Sequence, residues 1–359
     1  MDQHPFHMET SILSQPAELQ KVTERNIESI LETGSGISAR DGGVIYLVGT
    51  GSSLHSAELA SWLFRSAPGN RSRVIARPCS SYEFVTYTPP LRKEDVVIVI
   101  SHRGYKSYSN RSLGIAKRAG CLLVAVTGFD STIGADDADA VFRTVKQEES
   151  SAHTVSLTTS LGILLSLSIA VSEAEKDARR EIESTVRKIA GEMETVLKSR
   201  GRIKTILNEF DVPERIWISG SGPNKTVAHE AALKVQETSY TDAYGFEIEQ
   251  LIHGPMRASD IEKDLFIPII WGSNGSRSRE LVKAISAAGG HVVTVSDSIE
   301  DLNNCLPSKS DLEEYLSPFV TLVPLQLISL YLAERKGTNP DSFRKDERHF
   351  SKIDSMLKL

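Results

Sequence analysis

Short unbroken apolar runs recur along the chain, each closed by glycine and followed by helical spacing. Val44 to Val48 precede Gly-Thr-Gly-Ser-Ser and an amphipathic stretch from Leu54 to Phe64. About 171 residues later, Ile216 to Ile218 precede Gly-Ser-Gly at 220–222 and a helical stretch from about Lys225 to Tyr240. A second pair keeps nearly the same offset. Asp95 to Ser101 is followed by a helix and Ala-Gly-Cys-Leu-Leu-Val-Ala-Val, while Ile267 to Trp271 is followed by Arg279 to Ala288 and Gly-Gly-His-Val-Val-Thr-Val. Continuous β-branched runs read as strands buried on both faces, and their alternation with helices predicts parallel, helix-covered sheets. The expected fold is α/β: two tandem domains, each a three-layer αβα sandwich around a mostly parallel sheet.

The intervening segments complete the outline. Residues 1–40 read as an N-terminal helical segment, 41–200 as the first domain with a connecting helix, 201–337 as the second domain, and 338–359 as a polar tail that closes the site. The connecting helix is expected over 172–200, which is rich in Glu, Lys, Arg and Ala and free of proline. Pro324 to Lys336 predicts a helix with proline at its start and Gly337 at its end.

At 359 residues the chain exceeds what one core usually organises, which agrees with two domains. With 41 basic and 47 acidic residues the net charge is −6, and no basic block marks a nucleic-acid surface. Cys79, Cys121 and Cys305 are scattered and odd in number, against a disulfide framework or a zinc site; no metal and no cofactor is expected. The first 20 residues lack a signal-peptide core, and the apolar-rich stretch Leu161 to Val171 is too short to span a bilayer, so a cytoplasmic protein with no membrane partner is expected.

Two turns in the first half have phosphate-loop character. Gly49, Gly51, Ser52 and Ser53 follow one strand; Ser101, His102, Arg103, Gly104, Tyr105, Lys106 and Ser107 follow another and lead into a helix. Glycines let backbone approach an anion, and helix N-termini offer unpaired N–H groups. The corresponding turn of the second half has Pro223 and Asn224 in place of paired serines and is expected to keep the fold without the ligand. Glu230, Lys234 and Glu237, at i, i+4 and i+7, share one helical face. On spacing alone a solvated stripe with an i, i+4 Glu–Lys pair is the favoured reading, and a buried acid–base group needs further motifs to support it.

Six motifs together carry a resemblance: Gly-Thr-Gly-Ser-Ser-Leu-His-Ser (49–56), Ser-His-Arg-Gly-Tyr-Lys-Ser (101–107), Ala-His-Thr-Val-Ser-Leu-Thr-Thr-Ser (152–160), Glu-Ala-Ala-Leu-Lys-Val-Gln-Glu-Thr-Ser-Tyr (230–240), His-Gly-Pro (253–255) and Val-Pro-Leu-Gln-Leu (323–327). In this order they resemble the double SIS (sugar isomerase) domains of glucosamine-fructose-6-phosphate aminotransferase. They also resemble its relatives without a glutaminase domain, the amino-sugar-phosphate deaminases and fructosamine-6-phosphate deglycases.

The resemblance implies a phosphorylated sugar or amino sugar as partner, with Gly51, Ser52, Ser53, Ser101, His102, Arg103 and Lys106 binding its phosphate and nearby hydroxyls, and Ser151, His153 and Thr154 on a loop that closes over it. It implies Glu237 as the carboxylate that moves a proton between sugar carbons 1 and 2, Glu230 and Lys234 beside it, and His253 as the ring-opening group supplied by the neighbouring subunit of a homodimer with shared active sites. Two departures stand out. Arg103 and Lys106 replace a serine and a threonine of the family's loop, adding planar bidentate and point-charge donors. Arg348 stands where the aminotransferase has its Schiff-base lysine, and a guanidinium is no amine nucleophile. A substrate that carries its own nitrogen needs no such lysine, which implies a deaminase or deglycase; Lys345 or Lys352 remains available if the tail register differs. An aldose–ketose isomerase without nitrogen chemistry and a non-catalytic phosphosugar-binding regulator are the alternatives. The chain starts Met-Asp-Gln-His, without an N-terminal cysteine, so glutamine-driven synthesis is not expected of it.

Overall fold

A computed structural model describes residues 5–40, 42–66, 75–172, 175–272, 275–298, 305–307 and 310–357. The chain packs as two compact units. One comprises Ser14–Glu148 and Val155–Ala190; the other comprises Met1–Leu13, Glu149–Thr154 and Gly191–Leu359. Two of the four unit borders fall inside long helices, α1 (His7–Ser38) and α6 (Glu175–Lys198), and the other two flank the segment Glu149–Thr154.

The first unit is built on β1 (Val44–Gly49), α2 (Ser52–Ser66), β2 (Ile75–Ser80), α3 (Ser81–Thr86), β3 (Val96–Ser101), α4 (Ser107–Ala119), β4 (Leu122–Thr127), β5 (Ala140–Arg143) and α5 (Val155–Ser172). Its five strands pair in the order β2-β1-β3-β4-β5, all parallel. The central strand β3, Val-Val-Ile-Val-Ile-Ser, is buried throughout, as a strand covered on both faces requires. β2, Ile-Ala-Arg-Pro-Cys-Ser, lies at the edge and is largely exposed; having no apolar run, it gave no signal in the sequence.

The second unit continues with α7 (Arg200–Leu207), β6 (Arg215–Gly220), α8 (Pro223–Ser239), β7 (Asp242–Glu247), α9 (Ile248–Ile252), β8 (Leu265–Ile270), α10 (Ser276–Ala287), β9 (His291–Val292), β10 (Thr294–Ser296), β11 (Cys305–Pro307), α11 (Pro318–Lys336) and α12 (Arg348–Leu357). The strand order is β11-β10-β8-β6-β7, with β9 also on β8, again all parallel. Renumbered from its own first strand, this is the same 2-1-3-4-5 order as in the first sheet. Both units are therefore doubly wound αβα sandwiches, as the repeat predicted.

Three expectations are corrected. Gly-Gly-His-Val-Val-Thr-Val does not form one strand: the register from Leu265↔His291 to Ile270↔Ser296 is unbroken, but pairing lapses beside Ile267 and Pro268 and splits β9 from β10. Proline has no N–H to give the ladder. The C-terminal helix starts at Pro318 instead of Pro324, which lies inside it; burial along nearly the whole of α11 supplies the packing that a lost intrahelical hydrogen bond removes. The apolar stretch around Leu161 extends to the 18 residues of α5, and Glu314–Lys336 is also long and apolar enough to cross a bilayer. Both are core helices, 94% and 100% buried within the protein.

Candidate active site

In a doubly wound sheet, ligands settle at the carboxyl ends of the strands, where the winding reverses. In the first unit that switch point lies between β1 and β3, and the loops following these two strands are the two phosphate-loop candidates. Gly51 holds a left-handed conformation (φ 60) and its carbonyl accepts from Leu54 and His55, which starts α2 with Ser52 and Ser53 half-exposed in its first turn. Thr50 and Ser81 share a hydroxyl hydrogen bond that ties this loop to α3.

The loop after β3 has a different chemistry. Ser101 is buried at the strand end, and its carbonyl accepts from the Thr127 hydroxyl at 2.7 Å. Gly104 turns the chain at φ 74; a side chain there would be strained and would overlap Ser131 Oγ. Arg103 Nη1 donates to Tyr105 Oη at 2.8 Å, which spreads the guanidinium across the loop. Lys106 occupies the N-cap of α4. A lysine offers no acceptor to the first N–H groups of a helix, so that end keeps its affinity for an anion, with the ammonium beside it.

His102 is buried. Its carbonyl accepts from Gly128 N at 2.8 Å, and its Nδ1 lies 3.5 Å from Thr144 Oγ1. Burial holds its pKa below the ordinary imidazole value; Glu148 opposes that shift and Arg103 reinforces it. Glu148 itself accepts from both the backbone N–H (2.9 Å) and the hydroxyl of Ser156 in the first turn of α5.

In the second unit, α8 carries the Glu230, Lys234 and Glu237 stripe. Its charged stripe is buried, not solvated: Glu230 is 0% exposed, Lys234 1% and Glu237 13%. Lys234 Nζ stands 3.4 Å from Glu230 Oε1 and hydrogen-bonds Glu237 Oε2. Burying ions costs several kcal/mol each unless they are well paired, so two carboxylates and one ammonium are a poor way to stabilise a helix. A buried charged group of this kind is a candidate for chemistry. Glu237 is the most exposed member of the group.

His253 joins a separate surface network. It caps the C-terminus of α9, its ring is 72% exposed, and Nε2 lies 2.9 Å from Glu249 Oε2, which also pairs with Arg277. Arg348 is exposed at the start of α12. Within the same unit, Ser151 and His153 are half-buried and Thr154 is buried. Lys345 Nζ donates to Ser151 Oγ at 3.0 Å, so a tail lysine reaches the loop expected to close over the sugar. Sequence spacing does not reveal that pair, which is separated by 194 positions.

A family model described as the SIS domain matches residues 40–170, which span all of the first sheet and both of its loops. Residues 40–170 are a SIS domain. The glutamine–fructose-6-phosphate aminotransferase of Gloeobacter violaceus is 27% identical over 311 residues, covering 84% of this chain and 50% of that protein. The chain spans about half the length of the curated relatives it matches. Among solved structures, the C-terminal domain of glucosamine-fructose-6-phosphate aminotransferase from Francisella tularensis superposes with a TM-score of 0.81 at 19% identity, covering 95% of this chain and 98% of that one. Tagatose-6-phosphate ketose/aldose isomerase from Escherichia coli gives 0.79 at 20% identity, with 94% and 95% covered. At such identities these structures show a shared fold. The expected resemblance of this chain to the aminotransferase's isomerase half is met in sequence and in architecture.

Proposed function

We propose that this chain is an enzyme of phosphosugar chemistry, an amino-sugar-6-phosphate deaminase or a fructosamine-6-phosphate deglycase, working as a homodimer in the cytoplasm. The observation that carries the reading is the buried Glu230–Lys234–Glu237 group with its one accessible carboxylate.

In this reading the first unit supplies the phosphate chemistry. Ser52, Ser53 and Ser101 offer hydroxyls, Arg103 and Lys106 offer charge-assisted donors, and the N-termini of α2 and α4 face the anion. The second unit supplies the proton chemistry. Glu237 takes the proton from one of sugar carbons 1 and 2 and returns it to the other, while Lys234 holds that carboxylate. His253, exposed in the single chain, serves the ring-opening step of a neighbouring subunit. Arg348 cannot form an imine, so the C=N bond is made on the substrate's own nitrogen: the proton shift converts the amino-carbonyl sugar into an imine, and water adding to that C=N bond releases ammonia or a free amine and leaves a carbonyl on the sugar.

The test is product release. Incubation with glucosamine-6-phosphate and with a fructosamine-6-phosphate is expected to liberate ammonia or free amino acid from one of them. Turnover of a nitrogen-free aldose or ketose phosphate, with no nitrogen released from either amino substrate, would move the assignment to an aldose–ketose isomerase.

A further inference from the structure

The tail residues 338–345, the loop Glu149–Thr154 and the start of α1 meet on one residue, Asp341. Its Oδ2 accepts from His7 N and its Oδ1 from Met8 N, both at 2.9 Å. One carboxylate thus satisfies two of the orphan donors at the N-terminus of a 32-residue helix, where the helix dipole also favours negative charge. The cap comes from a residue more than 330 positions away, so it fixes tertiary arrangement as well as the helix end.

The backbone of the same residue faces the loop: Ser151 N donates to Asp341 O at 3.1 Å. Two further contacts bind the loop to these segments, Lys345 Nζ to Ser151 Oγ at 3.0 Å and His7 Nε2 to Glu149 Oε2 at 3.3 Å. The tail is in turn fastened to the end of α8. Thr338 Oγ1 donates to Thr238 O at 2.8 Å, and Tyr240 Oη lies 3.2 Å from Ser342 Oγ. Asp341 N closes the turn on Asn339 Oδ1 at 2.9 Å. A continuous set of hydrogen bonds therefore runs from the residue after Glu237, through Asp341, to Ser151.

We propose that Asp341 is a positioning residue: by capping α1 it holds the tail that sets the Ser151–Thr154 loop relative to the Glu237 end of α8. The proposal rests on the reading of that loop as the one closing over the sugar. Asp341 touches no reacting atom. Its effect is on the order of the loop before ligand arrives, so its loss weakens ligand capture more than it slows the proton transfer.

Two measurements on the full chain decide it. Without ligand, amide exchange at Ser151, His7 and Met8 is expected to accelerate about tenfold or more in Asp341→Ala while β3 amides stay protected. With glucosamine-6-phosphate as the probe, calorimetry is expected to show about tenfold weaker binding, with Asp341→Asn, which retains an acceptor oxygen, lying between wild type and Asp341→Ala. If Asp341→Ala does not fold, Asp341→Asn carries both readouts against wild type. Faster exchange at His7 and Met8 with unchanged Ser151 exchange and unchanged affinity reduces Asp341 to a helix cap and overturns the proposal. Absence of probe binding by wild type counts against the phosphosugar reading instead, and the exchange of Ser151 then decides the positioning role alone.

Discussion

The two sheets share one strand order, yet their switch points differ in what stands there. Between β1 and β3, Ser52 and Ser53 start a helix and Arg103 and Lys106 crowd the facing loop. Between β6 and β8, Pro223 takes the first helical position, and Asn224 is buried with its amide used up inside the protein: Nδ2 donates to Ser317 Oγ and Oδ1 accepts from Thr321 Oγ1, both at 2.9 Å. The small hollow there is lined by Ser221, Asn224, Trp271, Ser278 and the carboxylate of Glu314. The strand order is shared while the loop side chains are not. A fold supplies a place for a ligand, and the loop side chains decide whether the place is used.

The sharpest break would come from the proton chemistry assigned to the second unit. Glu237→Gln is expected to lower kcat about a thousandfold, the scale of a lost general base, with the calorimetric Kd for glucosamine-6-phosphate unchanged. An active Glu237→Gln enzyme would leave the buried stripe without a chemical role.

Next come the switch points themselves. Arg103→Ala and Lys106→Ala are each expected to weaken phosphosugar binding by about 10- to 100-fold, the worth of a charge-assisted hydrogen bond. Glu314→Gln is expected to leave binding unchanged. A comparable loss from Glu314→Gln would erase the distinction between the two sheets.

At the second switch point the expected penalty is in stability. Asn224→Ala removes two buried hydrogen bonds, leaving Ser317 Oγ and Thr321 Oγ1 their bonds to Glu314 O and Ser317 O, and should lower unfolding free energy by about 1–3 kcal/mol in urea titration, with ligand affinity retained.

The smallest expected effect is a pH dependence confined to the first unit. His102 has a folded-state pKa depressed by burial, so its contribution is full above the unfolded imidazole value and is lost as pH falls from there toward the folded value. Urea midpoints at pH 7.5 and 5.5 should differ less in His102→Gln than in wild type. Equal pH dependence in both proteins would remove His102 as the source.

The legibility of this protein followed the range of its interactions. β3 and β8 announced themselves because burial on both faces demands an unbroken apolar run, and the 171-residue repeat from β1 to β6 followed from that. The edge strands β2 and β7 did not, since half of each faces polar surroundings. The stripe Glu230, Lys234, Glu237 could be read from helical periodicity alone. Whether it was buried could not, because the same spacing serves a solvated face, and only the elements packed over α8 exclude water from it.

By itself, then, the sequence determined the repeated parallel α/β plan, the glycine turns after the central strands and the candidate acid–base face, since each is set by neighbours within a few residues along the chain. Tertiary structure alone decided the burial of Lys234, the splitting of β9 from β10 opposite Pro268, and the capping of α1 by Asp341. These depend on which distant groups arrive beside one another, and a hydrogen bond spanning more than 330 residues leaves no period in the chain to be read.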